Sequence, residues 1–165
     1  MPTKPTPSRG THRTPSRRSA AAPRHAPAAR PVATPTAPPV AIVISRYNAS
    51  VTDRLLDGAR TAYAAAGGNP DSLLVIDAPG AFELPALALA AATRSKVRGV
   101  LTLGCIIRGE TRHDEYLAHA VAHGCVQVTM HTRIPVSFGV LTTENVAQAE
   151  ARAGGAHGNK GAEAM

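Results

Sequence analysis

Residues 97–113 read VRGVLTLGCIIRGETRH, and this stretch decides the fold. The apolar residues up to Ile106 predict a buried strand, a short loop with Gly109 follows, and a helix is expected to open near His113. Free backbone N–H groups and the positive end of the helix dipole meet at such a junction, which favours an anion such as phosphate. The imidazole of His113 can carry a proton at neutral pH, so we expect acid–base chemistry beside that anion.

The same strand–loop–helix unit repeats along residues 40–165. Apolar runs predict strands over residues 40–45, 73–76, 97–106 and 134–141. Helices are expected from a cap at Asn48 or Ser50 to about residue 66, then over 83–93, 113–130 and 145–153, with a short helical start after Asn159. Strands that alternate with helices predict an α/β fold with three layers, α/β/α, around a four-stranded parallel sheet.

Ligands of open parallel sheets bind beyond the carboxyl ends of the strands. This rule selects the segments 46–48, 78–83, 105–113 and 141–144, each of which follows a predicted strand. They provide an aromatic ring on Tyr47, a carboxylate on Glu83 and the imidazole of His113. Gathered on one rim, these groups are expected to bind a polar, phosphorylated molecule and to move protons on it.

Residues 1–39 form a tail whose composition differs from the rest of the chain. Residues 1–40 hold seven of the eighteen lysines and arginines, ten of the fourteen prolines and no acidic residue. The other eleven basic residues balance all eleven acidic ones, so the net charge of +7 belongs to this tail. Such a segment buries too little apolar surface to offset its ordering entropy, and we expect it to be disordered.

Composition leaves three interpretations of the tail open: a solvated linker, a transit peptide, or a basic arm that binds a polyanion. Nucleic acid is not favoured as a partner, because no aromatic residue is interleaved with the arginines. No apolar run is long enough for a secretory signal or a membrane span. The spacing of Cys105 and Cys125 suits neither zinc nor a disulfide scaffold, so we expect a cytoplasmic protein, or a plastid one if the tail is a transit peptide.

Five motifs stand in order along the predicted domain, residues 40–165. They are RYN at 46–48, PGAFELP at 79–85, GCIIRGETRH at 104–113, PVSFGVLTTEN at 135–145 and RAGGAHGNKG at 152–161. Together they resemble the 6,7-dimethyl-8-ribityllumazine synthases of riboflavin biosynthesis. The resemblance covers nearly all of the predicted domain and none of the tail, and it implies the flavodoxin-like fold of that family.

The resemblance implies a condensation as the activity. Members of the family join 5-amino-6-(D-ribitylamino)uracil to 3,4-dihydroxy-2-butanone 4-phosphate, lose phosphate and water, and form 6,7-dimethyl-8-ribityllumazine. No metal or redox cofactor is implied. A homo-oligomer is implied, either a pentamer or a shell built of pentamers, with active sites at subunit interfaces and with riboflavin synthase as a candidate partner.

The resemblance also assigns the candidate site residues. His113 is the implied proton carrier, Tyr47 the ring that stacks on the pyrimidine, and Glu83 an acceptor for ribityl hydroxyls. Contacts to the ribitylaminouracil are implied for Tyr47, Ala81, Phe82, Glu83, Cys105, Ile106, Ile107 and Phe138. Contacts to the butanone phosphate are implied for Glu110, Thr111 and Arg152, and both Phe138 and Arg152 are expected to come from a neighbouring subunit.

Plainer interpretations of these residues remain open at this stage. His113 can be an exposed first-turn histidine, and Arg152 can face the dipole at a helix C-terminus. Cys105 has no evident activating partner, so a packed thiol is favoured over a nucleophile. His119 and His123 have the i, i+4 spacing of a metal pair, yet no third ligand stands near them in the sequence, and a metal site is not favoured.

The chain departs from the family pattern at several positions. Ala156 stands where the family commonly has a lysine beside the phosphate, and His157 and Lys160 are the candidates to replace it. Asp114 replaces a usual aromatic residue, and relatives continue past the position of Met165, so a short final helix is expected. The competing function is a non-catalytic shell or scaffold protein that binds cargo through its basic tail. A generic flavodoxin-like binding module would leave most of the motifs unexplained.

Overall fold

The computed structural model of the chain describes residues 37–94 and 96–165. Its main strands are β1 (Val40–Ser45), β2 (Leu74–Ala78), β3 (Gly99–Ile107) and β4 (Val136–Thr143). Each is followed by a helix: α1 (Ala49–Ala65), α2 (Leu84–Arg94), α3 (His113–Thr132) and α4 (Val146–Arg152). A 3₁₀ turn, Pro70–Ser72, precedes β2. After α4 come two short strands, β5 (Ala153–Gly155) and β6 (Gly158–Asn159), and helix α5 (Lys160–Ala164).

The four main strands form one parallel sheet in the order β2-β1-β3-β4. Within it, Val43 of β1 pairs with Ile76 of β2 on one side and with Thr102 of β3 on the other. All four strands therefore end at the same edge, where the loops that lead into the helices gather. The predicted α/β fold with a four-stranded parallel sheet is confirmed.

The sheet has a separate hydrophobic core on each face, and alternate residues of its strands point into one core or the other. Ala41 and Val43 face one core, which also contains Leu84 of α2 and Val121 of α3. Ile42 and Ile44 face the other, which contains buried residues of α1 and α4 such as Leu55 and Ala149. Because both faces of β1 are covered, its sequence is a continuous apolar run rather than an alternating one. The three predicted layers are confirmed.

The structure corrects the local predictions at two places. Asn48 occupies the position before α1, but its side chain makes no cap and reaches β3 instead. The chain after α4 contains the antiparallel pair β5–β6, which no pattern indicated. Gly154 and Gly158 turn this hairpin with positive φ angles of 97° and 77°, a conformation that glycine adopts without steric cost.

Other predictions concern residues that the structure does not describe. The predicted tail, residues 1–39, lies outside the described residues except for its last three. Its disorder and its boundary with the folded domain stay predictions. Among the described residues, no helix is both long enough and apolar enough to cross a membrane.

Candidate active site

A cleft of about 850 Å³ lies at the carboxyl ends of β1, β2 and β3, where each strand connects to the helix that follows it. Nine of the residues predicted for the site line it: Tyr47, Ala81, Phe82, Glu83, Cys105, Ile106, Ile107, Thr111 and His113. They come from three strand–helix junctions that lie far apart in sequence. The parallel order of the strands brings them to one edge of the sheet, as expected from the sequence. Their binding roles remain predictions.

Two aromatic side chains are exposed at the rim of this cleft. Tyr47 is 70% exposed and Phe82 is 67% exposed. Tyr47 lies in the loop of three residues between β1 and α1, and Phe82 lies in the loop of five residues between β2 and α2, so short loops carry both rings. Large apolar groups exposed beside polar ones are typical of a binding surface, because the contact of apolar surface with water is unfavourable. The pair can hold a flat, partly apolar ring.

Glu83 contributes a half-buried carboxylate to the β2–α2 loop. Its Oε2 accepts a hydrogen bond from the backbone N–H of Gly80 at 3.0 Å, which fixes the side chain over its own loop. Within the described part of the chain, no group donates to the second oxygen, Oε1. That oxygen can accept a hydroxyl hydrogen from a molecule in the cleft.

The β3–α3 loop presents backbone donors at the other end of the cleft. None of the described residues accepts a hydrogen bond from the N–H groups of Gly109, Glu110, Thr111 and Arg112. The hydroxyl of Thr111 instead accepts from the N–H of His113 at 3.5 Å. Helix α3 is 20 residues long, so its dipole adds positive potential at this end. The arrangement suits a phosphate group, with the His113 side chain beside it.

Three predicted residues do not line this cleft. Glu110 lies exposed in the β3–α3 loop and is not among the lining residues. Phe138 of β4 lines a second cleft of about 480 Å³. Arg152, at the end of α4, lines a third cleft of about 680 Å³. The second and third clefts share Thr142, Thr143 and Gln148, so they form one continuous surface around the end of β4, which we call the β4 surface.

Arg152 is held in place on the β4 surface by its own chain. Its Nη1 donates to the carbonyl of His157 at 2.6 Å and to Oε1 of Glu163 at 3.0 Å. Its Nη2 donates to Oε2 of Glu163 at 2.9 Å. The same arginine holds the pKa of Glu163 below its ordinary value, chiefly through this hydrogen bond. Lys160 adds a looser contact, with Nζ 3.7 Å from Oε2 of Glu163.

Several lining residues had no role assigned from the sequence. Asn48, Arg108, Asp114 and Leu117 line the first cleft, and Arg108 and Asp114 also line the second. Arg108 donates from Nη1 to Oε2 of Glu144 at 2.7 Å, which ties the end of β3 to the end of β4. The signal for Asn48 and Arg108 was their place inside the segments 46–48 and 105–113, which the sequence had selected as candidates.

Cys105 is buried in the sheet, and it is one of the residues that line the first cleft. Burial raises the pKa of Cys105 from 9.0 to about 11. A thiol with this pKa is protonated at neutral pH and is a poor nucleophile. Cys105 therefore lines the cleft as a packed side chain. Among the described residues there is no cluster of three side chains able to hold a metal ion.

Comparison with known proteins gives one consistent result. The sequence model of the 6,7-dimethyl-8-ribityllumazine synthase family matches residues 38–165. A 6,7-dimethyl-8-ribityllumazine synthase of Thermus thermophilus is 50% identical over 124 residues, which are 75% of this chain and 79% of the relative. An enzyme of the same name from Xanthomonas campestris is 47% identical over 122 residues, 74% of this chain and 79% of the relative. One from Xanthomonas oryzae is 48% identical with the same coverage.

Proposed function

The chain belongs to the 6,7-dimethyl-8-ribityllumazine synthase family, and we propose that it carries out the condensation from which that family takes its name. The substrates are 5-amino-6-(D-ribitylamino)uracil and 3,4-dihydroxy-2-butanone 4-phosphate. The amine of the first condenses with the carbonyl of the second, phosphate and water leave, and the ring closes to 6,7-dimethyl-8-ribityllumazine. One observation carries the proposal: nine residues predicted for this chemistry line a single cleft.

The first cleft divides into a pyrimidine side and a phosphate side. Tyr47 and Phe82 offer exposed rings for the pyrimidine, and Oε1 of Glu83 accepts a ribityl hydroxyl. The N–H groups of Glu110 and Thr111, from which no described residue accepts a hydrogen bond, receive the phosphate at the start of α3. This division follows the chemistry of the two substrates, because only the second of them carries a phosphate.

His113 is the group we assign to proton transfer. It lines the cleft at the first residue of α3, beside the loop that receives the phosphate. Imine formation, phosphate loss and ring closure each need a proton moved near neutral pH, which suits imidazole. Holding two reactive molecules together supplies much of the remaining rate, because it removes the entropy cost of their encounter.

Arg152 keeps a donor pair for the phosphate despite its ion pair with Glu163. A guanidinium has five N–H donors, and the described contacts of Arg152 use three of them. The N–H of Nε and the second N–H of Nη2 remain, and they point along one edge of the group. These two parallel donors match the geometry of two phosphate oxygens. Glu163 therefore orients the arginine without occupying the edge that binds.

In this proposal, each active site contains residues from two copies of the chain. Within one copy, Arg152 lines the third cleft, which shares no residue with the first, and Phe138 lines the second cleft, which meets the first at Ile106, Arg108 and Asp114. If the β4 surface of one copy covers the first cleft of the next, both residues reach the substrates. Such a head-to-tail contact repeats from copy to copy, and it builds a ring when the rotation between neighbours closes. This supports a homo-oligomer such as a pentamer, or a shell of pentamers.

Two further assignments belong to this proposal. We place the enzyme in the cytoplasm, in keeping with the two buried cysteines, which are both free. Riboflavin synthase, which consumes the product, stays the candidate protein partner. The alternative of a non-catalytic shell protein is not favoured, because the family match and the lining of the cleft both point to the enzyme.

A coupled assay tests the proposed function. The purified full chain is mixed with both substrates, and lumazine absorbance is followed while light scattering measures the mass of the particle. We expect lumazine to form faster than in the spontaneous reaction, from a particle larger than a monomer. A well-assembled particle that forms no lumazine above the spontaneous rate would overturn the proposal.

A further inference from the structure

The guanidinium of Arg46 bridges two carboxylates from two different elements. Its Nη1 donates to Oδ1 of Asp53 on α1 at 2.8 Å, and its Nη2 donates to Oδ1 of Asp77 on β2 at 2.5 Å. The backbone N–H of Arg46 also donates to the carbonyl of Ala78 at 2.8 Å. The residue that follows β1 is thus tied both to helix α1 and to the edge strand of the sheet.

The same turn is fixed on its other side by Asn48. Its Nδ2 donates to the carbonyl of Cys105 at 3.0 Å, which ties the turn to the end of β3. Asn48 has a left-handed backbone, with φ 59° and ψ 44°. Asparagine adopts this conformation more readily than most other non-glycine residues, and here the bond to Cys105 holds it.

Tyr47 lies between Arg46 and Asn48, and no hydrogen bond from its own side chain to a described residue fixes its position. Its side chain is 70% exposed, and within the described residues its hydroxyl makes no hydrogen bond. Neighbouring side chains therefore do little to aim the ring. Its direction over the cleft is set by the backbone of the turn, which the contacts of Arg46 and Asn48 hold.

We propose that Asp77, acting through Arg46, is a positioning residue that aims Tyr47 at the pyrimidine substrate. The inference rests on the proposed function, since it needs the first cleft to bind the ribitylaminouracil. Asp77 is not among the residues that line the cleft, and neither is Arg46. Both act on the substrate only through the turn, and the phosphate side of the site does not depend on them.

The solvent exposure of the two ion pairs of Arg46 determines how strongly they affect stability and substrate binding. The side chains are 39% exposed for Arg46, 56% for Asp53 and 60% for Asp77, so water screens both pairs. Exposed ion pairs are worth little in overall stability. A turn that samples several directions, however, lowers the fraction of molecules in which Tyr47 is ready to stack. That loss raises KM for one substrate and leaves the chemical step alone.

The test is a pair of kinetic titrations on the full chain with the variant Asp77→Asn. We expect KM for the ribitylaminouracil to rise about fivefold, which corresponds to about 1 kcal/mol. KM for the butanone phosphate and kcat should change less than about twofold. Asp57→Asn removes a similar exposed carboxylate from α1 and is the matched control, with no expected change in either KM.

A second variant separates positioning from a general structural role. In a Tyr47→Ala background, adding Asp77→Asn should leave KM for the ribitylaminouracil unchanged, because the ring to be aimed is gone. A further rise of similar size in that background would overturn the proposal, as would equal changes in both KM values for Asp77→Asn. Unchanged KM values for Asp77→Asn in an active enzyme would overturn it too. Absence of lumazine with the unaltered chain would instead contradict the proposed function.

Discussion

The carboxylate of Glu163 accepts two hydrogen bonds from the end of the Arg152 guanidinium, with Nη1–Oε1 and Nη2–Oε2 distances of 3.0 and 2.9 Å. Two carboxylate oxygens on two nitrogens are the geometry that a phosphate would also use. If Arg152 binds phosphate as we propose, the acidic residue beside it can have either of two opposite effects on that binding. It either competes with the substrate or holds the arginine ready for it. The donor pair left on Nε and Nη2 favours the second.

Replacement of Glu163 distinguishes these two consequences. Glu163→Gln keeps the shape but loses the charge-assisted pair, so Arg152 becomes less well oriented, and we expect KM for the butanone phosphate to rise about threefold. Arg152→Ala should raise the same KM by more than tenfold, because the donor pair itself is lost. Glu150→Gln on α4 is the control, since this exposed carboxylate makes no ion pair with a described residue. A lower KM in Glu163→Gln would show that the carboxylate blocks the phosphate.

The same pair predicts how phosphate binding depends on pH. Arg152 lowers the pKa of Glu163 from its ordinary value of 4.5, so the carboxylate stays ionised in mildly acidic buffer. A lowered pKa in the folded state means that the stabilising pair is present above 4.5 and is lost as pH falls through the lower, folded-state pKa. Substrate-binding measurements between pH 8 and about 5 should therefore show no loss assignable to Glu163. A decrease present in the unaltered chain and absent from Glu163→Gln would contradict this.

Loss of His113 is expected to slow the reaction without abolishing it. We predict that His113→Ala lowers kcat about a hundredfold, because imidazole moves protons in several steps. Lumazine formation above the spontaneous rate should persist, since the two substrates are still held together. His131→Ala, in the last turn of the same helix, serves as the control. Complete loss of activity in a fully assembled His113→Ala particle would mean that proximity contributes little.

The buried thiol of Cys105 gives a prediction at alkaline pH. Burial raises its pKa to about 11, above the 9.0 of an ordinary thiol, so the neutral form is favoured in the folded state. The corresponding stabilisation is present below 9.0 and is lost as pH rises through about 11. We expect native alkylation by iodoacetamide, followed by mass spectrometry, to stay slow at pH 8 and to rise towards pH 11. A half-maximal rate below pH 9 in the folded protein would contradict this environment for the thiol.

Helix α5 packs so tightly that one glycine controls its contact with α1. A Cβ on Gly161 would lie 2.0 Å from the carbonyl oxygen of Leu55, which is backbone and cannot rotate away. We therefore expect Gly161→Ala to lower the free energy of unfolding by about 2 kcal/mol. Gly109→Ala is the stability control, because a Cβ there meets no heavy atom within 4 Å. Denaturant titrations of the two variants provide the measurement, and equal midpoints would contradict the close approach.

The sequence was a good guide where the signal was local and periodic. The run of apolar residues in β1 and the helical spacing in α1 required no knowledge of distant residues. The edge on which Tyr47, Glu83 and His113 meet followed from the strand–helix alternation alone. The assignment of chemistry to those residues came from motifs that resemble one family, and the family membership is now shown.

The features that the sequence did not predict depend mostly on contacts between residues that are distant along the chain. The bond from Asn48 to Cys105 spans 57 positions, and the bridge from Arg46 to Asp77 spans 31, so neither leaves a periodic trace. The β5–β6 pair is only three and two residues long, which is too short for an alternating pattern. The separate position of Phe138 and Arg152 was expected, but from the family resemblance rather than from a local pattern, and neither residue lines the first cleft of its own chain.

The central claim is that two copies of the chain build each active site, and mixing two damaged copies tests it directly. His113→Ala and Arg152→Ala chains are refolded together in equal amounts. Lumazine formation is assayed beside each parent assembly at a butanone phosphate concentration well below the KM of the unaltered enzyme, where both parents are slow. In a head-to-tail ring, about one quarter of the interfaces then pair an intact His113 with an intact Arg152 from the neighbour. We predict activity near a quarter of that of the unaltered enzyme. Activity equal to the mean of the two parents would show that each site is confined to one chain.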